Sequence, residues 1–172
     1  EIMPSLVGSE MCIRDRSYRA LLCVFSAAWE QLVRKPVKHG ENFMNIVLMA
    51  DSRKYDLLVN FCIAYRQILK KHQLISLFNT SRLIEEATHL PVSTLATDIH
   101  ANLDQLASRA SYNEIDAVIY LRDPELPIYD SPNTLLRACD SNSIPFASNI
   151  ATAEVLVLAI DRGDLDWREL LK

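Results

Sequence analysis

Glycine is almost missing from this chain of 172 residues: Gly8, Gly40 and Gly163 are the whole supply, and none falls between Met44 and Arg162. Bare backbone N–H groups at a strand-to-helix turn are the usual cradle for a phosphate, and glycine is what leaves them bare. A glycine-built cradle is therefore excluded from the body of the chain, and an anion bound there must meet side chains. Paired thiols are lacking too. Cys12, Cys23, Cys62 and Cys139 show no CxxC spacing, and the last two fall on apolar faces of predicted helices. Buried free thiols and a cytoplasmic location are expected. No pair of histidines has metal-ligand spacing, so neither a metal nor another cofactor is expected.

A strong excess of one sign of charge is also lacking. The net charge is −4 with no basic stripe, so nucleic acid is not an expected partner. Lys70-Lys71-His72 is the densest basic run and reads as a solvated helix end. The apolar run Ala20 to Trp29 is too short to span a bilayer. It reads as an amphipathic helix rather than the core of a signal peptide, and no membrane partner is expected. Residues Pro4 to Arg16 look like translated sequencing-adaptor read-through. That makes residues 1–16 an expected scar, 1–43 a leader outside the fold, and Met44 the expected start of a single domain, 44–172.

What the chain does have, from Met44 on, is an alternation of short β-branched runs with amphipathic stretches, the rhythm of a parallel α/β sheet. Ile46 to Ala50 is continuously apolar, as a strand buried on both faces should be. Leu57, Leu58, Phe61, Cys62, Tyr65, Ile68 and Leu69 recur at helical spacing. Further strands are predicted at Leu74 to Phe78, Val92 to Leu95, Asp116 to Leu121 and Pro145 to Ala147. Helices are predicted at Arg82 to His89, about Asn102 to Tyr112, through Leu135 and Cys139, and from Thr152 to Arg162, with a short helical tail after Leu165. The expected product is a five-stranded parallel sheet with helices on both sides and a ligand site beyond the strand C-termini.

Several blocks carry a more specific signal. Ala64-Tyr65-Arg66-Gln67-Ile68-Leu69-Lys70-Lys71-His72, Arg82-Leu83-Ile84-Glu85-Glu86-Ala87-Thr88, Ile119-Tyr120-Leu121-Arg122-Asp123-Pro124 and Ser143-Ile144-Pro145-Phe146-Ala147-Ser148-Asn149-Ile150-Ala151-Thr152-Ala153-Glu154 resemble methylglyoxal synthase, in order from Met44 to the C-terminus. The resemblance implies a flavodoxin-like three-layer sandwich, a homo-oligomer (a hexamer), and no metal. It also implies the family reaction, dihydroxyacetone phosphate to methylglyoxal plus phosphate. A carboxylate removes a proton beside the carbonyl, and the enediol then expels phosphate.

The resemblance weakens at each loop that would hold substrate. The family's Ala-His-Asp-x-x-Lys stands here as Ala50-Asp51-Ser52-Arg53-Lys54, which fits if the histidine is deleted. Asp51 and Lys54 are then carried over as substrate- or phosphate-binding residues, although Lys54 reads equally as an exposed lysine at a helix start. Thr-Gly-Thr-Thr-Gly becomes Leu77-Phe78-Asn79-Thr80-Ser81. Thr80 and Ser81 either bind phosphate or only cap the next helix, and Phe78 stands where glycine should. At the family's general base an ungapped alignment places Leu103, and a one-residue slip places Asp104. Asp104 is thus either the base or a first-turn acid; Asp98 and His100 are further polar residues nearby. Asp123 is retained as a second catalytic carboxylate, but the following Pro127-Ile128-Tyr129-Asp130-Ser131-Pro132 lacks the family's carbonyl-polarising histidine.

The leading reading is a divergent homologue whose lyase activity is weak or lost. A second is an active synthase with a rebuilt phosphate pocket around Lys54, Thr80 and Ser81. A third is a non-catalytic anion- or metabolite-binding regulatory module, by fold-level analogy with the effector domain of carbamoyl phosphate synthetase. In each, the expected partner is a small phosphorylated metabolite or inorganic phosphate.

Overall fold

The computed structural model describes residues 43–95 and 99–171, with side chains for all of these except 99–101. The leader, Thr97, Asp98 and the His100 side chain lie outside the described residues.

Five strands form one sheet: β1 Asn45–Ala50, β2 Gln73–Leu77, β3 Val92–Leu95, β4 Ala117–Leu121 and β5 Phe146–Ala147. They lie in the order β3-β2-β1-β4-β5, and every neighbouring pair is parallel. The apolar run of β1 is explained by its place at the centre. Paired with β2 at one edge and β4 at the other, and covered by helices on both faces, it meets no solvent, and Ile46 to Ala50 are all buried.

Helices cover both faces. They are α1 Tyr55–Ala64, α2 Arg66–Leu69, α3 Phe78–Thr88, α4 Ile99–Ser111, α5 Thr134–Ser141 and α6 Ile150–Arg162. Ile46, Leu48, Leu74, Ala117 and Ile119 point to one side and pack with Leu58, Phe61, Cys62, Ile84, Ala153 and Val157 from α1, α3 and α6. Val47, Met49, Ile75, Val118 and Tyr120 point to the other and meet Leu103, Leu106, Leu135 and Cys139 from α4 and α5. This is the three-layer, flavodoxin-like sandwich the sequence predicts, the period-2 alternation of each strand feeding two separate cores. The free thiols of Cys62 and Cys139 are both buried, one in each core. Loss of hydration pushes each up to about 12.

Several boundaries differ from the prediction. The helix expected over Leu57 to Leu69 is interrupted at Tyr65, which leaves helical dihedrals (φ −101°, ψ 19°). The ladder still runs through it, Tyr65 N–H donating to Phe61 C=O and Leu69 N–H to Tyr65 C=O. Phe78, expected at the end of β2, opens α3 instead, and that helix starts a full turn before Arg82. The tail is a 3-10 helix, Asp166–Leu171, fastened by Arg168. That buried guanidinium donates to the carbonyls of Ser143 (2.6 Å) and Ile115 (3.4 Å) and lies 3.9 Å from Asp116.

Candidate active site

In a sheet of order 3-2-1-4-5 the chain leaves β1 toward β2 and later returns on the other side of β1 as β4. The crevice beyond the C-terminal ends of β1 and β4 is the switch point, where open α/β sheets bind ligands. The register β1 Ala50 to β4 Leu121, followed by a 3.0 Å bond from Asp51 N–H to Leu121 C=O, delivers residues 51–54 and 122–125 to that crevice together.

Asp51 ties the two strand ends. Its Oδ1 accepts from the Tyr120 hydroxyl at 2.9 Å and its Oδ2 from the Asp123 N–H at 2.7 Å. Burial, then the bond to Asp51, holds the Tyr120 phenol well above the usual tyrosine range, so it stays a proton donor to that carboxylate. Asp123 is 2% exposed. Its Oδ1 accepts from Glu125 N–H at 3.2 Å, while Oδ2 lies 3.3 Å from Arg53 Nε, an ion pair too poorly aligned to be a hydrogen bond. Arg53 also reaches Glu125, Nη1 to Oε2 at 2.6 Å. On the far wall the Arg122 guanidinium is stacked between two rings, 4.3 Å from the Tyr129 centroid and 5.9 Å from that of Tyr120. It donates to the Tyr129 carbonyl, which pins the 3-10 turn Pro127–Asp130 against the crevice.

Of the residues singled out from sequence, Asp51 and Asp123 meet at this crevice. Lys54 is half-buried in the 3-10 turn Ser52–Lys54 that leads out of β1. Thr80 and Ser81 belong to the first turn of α3, beyond β2. Ser81 Oγ donates to Phe78 C=O at 3.0 Å and accepts from Thr94 Oγ1 at 3.1 Å. Thr80 Oγ1 is buried and makes no hydrogen bond among the described residues. Leu77, extended at φ −74° and ψ 153°, is the N-cap of α3 and gives it no side-chain bond. Leu103 packs into the core under α4. Asp104 is exposed in the groove between α4 and α5, where its Oδ1 accepts from Thr134 Oγ1 at 2.9 Å.

Arg53, Tyr120, Arg122 and Glu125 were not picked out as site residues by sequence reasoning. A signal for two of them was present. Arg53 and Glu125 flank the two strand-end aspartates, where a charged side chain has little to do except face the crevice. Tyr120 was hidden within an apolar run.

Among the described residues, no cluster of three or more His, Cys, Asp or Glu is arranged to hold a metal ion, and no helix is long and apolar enough to cross a membrane. The molecule is thus a parallel three-layer α/β sandwich with carboxylates, guanidinium groups and a phenol gathered at its switch point, the place where such sheets bind ligands.

Comparison with known proteins narrows this. No protein-family model matches the chain. Methylglyoxal synthase of Caldicellulosiruptor saccharolyticus is 49% identical over 130 residues, spanning 74% of this chain and 92% of that protein. The methylglyoxal synthase of Thermoanaerobacter sp. strain X514 is 44% identical over 129 residues, 74% of this chain and 98% of the relative. In three dimensions, the crystal structure of methylglyoxal synthase from Elizabethkingia anophelis matches with a TM-score of 0.62 and 30% identity, over 67% of this chain and 77% of that one. The chain belongs to the methylglyoxal synthase family.

Proposed function

We propose that this chain is a divergent methylglyoxal synthase homologue in which conversion of dihydroxyacetone phosphate to methylglyoxal and phosphate is weak or lost. The observation that carries this reading is the junction of β2 and α3. Strand passes straight into helix, Phe78 takes the first helical position with half its surface exposed, and the Ser81 hydroxyl is spent on Phe78 C=O and Thr94. With side chains in place of glycine and one hydroxyl already engaged, little is left there to surround a phosphoryl group. The crevice also lacks the histidine of the resemblance at the turn Pro127–Asp130, and with it the donor that would polarise a carbonyl oxygen.

Asp123 is the carboxylate best placed for whatever proton transfer remains. It is buried, and its Oδ2 accepts no hydrogen bond among the described residues. Asp51 orients it through the backbone, and Lys54 supplies a cation at the start of α1. For Asp104 to serve as the base, it would have to leave Thr134. Thr80, with its unused but buried hydroxyl, would have to be uncovered to serve as a phosphate contact on α3. The domain 44–172, a cytoplasmic location and assembly into a homo-oligomer belong to the same proposal, resting on the family relationship.

The test is to incubate the full-length protein with dihydroxyacetone phosphate and measure methylglyoxal and phosphate together, beside the Caldicellulosiruptor saccharolyticus relative. Losing a single preorganised electrostatic contact costs on the order of 10²–10³ in turnover, so release at least about 10²-fold below the relative is expected. Asp123→Asn should abolish what remains. Turnover matching the relative would overturn the proposal.

A further inference from the structure

Arg53 and Glu125 have no role in the reading above, yet they stand across the mouth of the crevice. The Arg53 guanidinium has three nitrogens. Nε lies 3.3 Å from buried Asp123 Oδ2, Nη1 donates to Glu125 Oε2 at 2.6 Å, and Nη2 has no partner among the described residues. The two Nη groups form the end of the planar fork, the edge that matches two oxygens of a phosphoryl or carboxylate group side by side. In this structure a carboxylate of the protein itself covers half of that edge.

We propose that Arg53 is the anion receptor of the crevice and that Glu125 is its built-in competitor, displaced when a small oxyanion, the phosphoryl group of a metabolite or free phosphate, takes the Nη1–Nη2 edge. The two partners of Arg53 differ in how firmly they are held. Asp123 is buried, at 3% side-chain exposure, and is fixed by the strand end, so the Nε contact keeps the fork aimed. The Glu125 side chain is 69% exposed and Arg53 itself 59%. Ion pairs that open to solvent are worth little net, because water and salt screen them and both side chains lose freedom in forming them. An incoming anion therefore loses little by removing Glu125, and it gains a two-toothed contact in exchange for a single one. With Asp51 and Asp123 already there, Glu125 is the third carboxylate an anion would meet. Swinging it outward lowers the repulsion as well as freeing the donor.

The inference rests on the proposed reading of the crevice as an anion site, and equilibrium binding tests it separately from turnover. Inorganic phosphate is titrated into the full-length protein at low ionic strength by calorimetry, with phosphate-dependent thermal unfolding as a second readout. Glu125→Gln, which removes the competing charge and leaves the shape, should tighten phosphate binding at least threefold. Arg53→Lys keeps the charge but not the fork, and should weaken it at least tenfold. In the Arg53→Lys background, Glu125→Gln should change little, since the two act through one contact. Unchanged affinity in Glu125→Gln, full affinity in Arg53→Lys, or no phosphate binding in both the parent and Glu125→Gln would each overturn the proposal. High turnover with the expected binding pattern would instead sink only the weak-lyase reading.

Discussion

Asp51 spends both carboxylate oxygens on the protein, one on the Tyr120 hydroxyl and one on the Asp123 N–H. Its strongest effect is thus to brace the ends of β1 and β4. Asp51→Asn keeps one acceptor and points an NH2 at the other donor, leaving a buried group unpaired, so a loss of about 1–3 kcal/mol is expected in urea unfolding. A second single-residue effect concerns pH. His72 Nδ1 accepts from Met44 N–H at 3.4 Å, and Nε2 is buried without a hydrogen-bond partner among the described residues. Burial, reinforced by Lys71 and opposed by Asp161 and Asp116, holds its pKa below the usual histidine range. The unfolded chain then binds the proton more readily, so stability is complete above about pH 6.5 and falls as pH drops through the lowered value. In His72→Asn the decline of Tm between pH 7 and pH 5 should be shallower than in the parent. At this scale the sequence was partly legible. Asp51 and Asp123 were visible because carboxylates directly after apolar strands have few other reasons to be there. That they would share a bond across the sheet, with Tyr120 as the third member, depended on the β1–β4 register, which is set by pairing between distant segments.

Element boundaries depended on caps more than on hydrophobic period. Helix α6 was expected from Thr152 and begins at Ile150, because Asn149 is the cap. Its side chain accepts from Thr152 N–H at 3.0 Å, while Thr152 Oγ1 accepts from Asn149 N–H, a closed capping box. Asn149→Ala should cost about 1 kcal/mol, read as a shift of the urea midpoint at unchanged slope. The helix ends at Gly163 in the left-handed region (φ 79°), the one glycine that an all-L chain would miss there. At the end of α3 the same conformation is borne by His89 (φ 56°), so that histidine is a C-cap. The start of α3 differs from the expected Arg82 because of its cap as well. Asn79-Thr80-Ser81 looks like a capping loop, but Leu77 is still extended and Phe78 already helical, so the chain takes up helix directly from the end of β2. What was legible was the run of five strands and their order of appearance. The layers followed from that, since alternating strand and helix in one parallel sheet leaves few topologies.

For the molecule as a whole, the proposed homo-oligomer, a hexamer by the resemblance, predicts that light scattering of the 172-residue chain gives a mass near six times 19.6 kDa. A monomer at micromolar concentration would contradict it. Met44, just ahead of β1, lies in the core at 2% exposure. If the domain is 44–172, as proposed, the fragment Met44–Lys172 should unfold at the same temperature as the full chain. Such a fragment would contain two cysteines, Cys62 and Cys139, one on each side of the sheet. Neither can react while covered, and each thiol must be exposed and deprotonated before a disulfide reagent can label it. The labelling rates of the two sulfurs are therefore two clocks on one molecule, one per helical layer. If they tick together, the sandwich opens as a single unit. If one runs faster, that layer peels away on its own, and the sheet and its crevice outlast the helices that cover them.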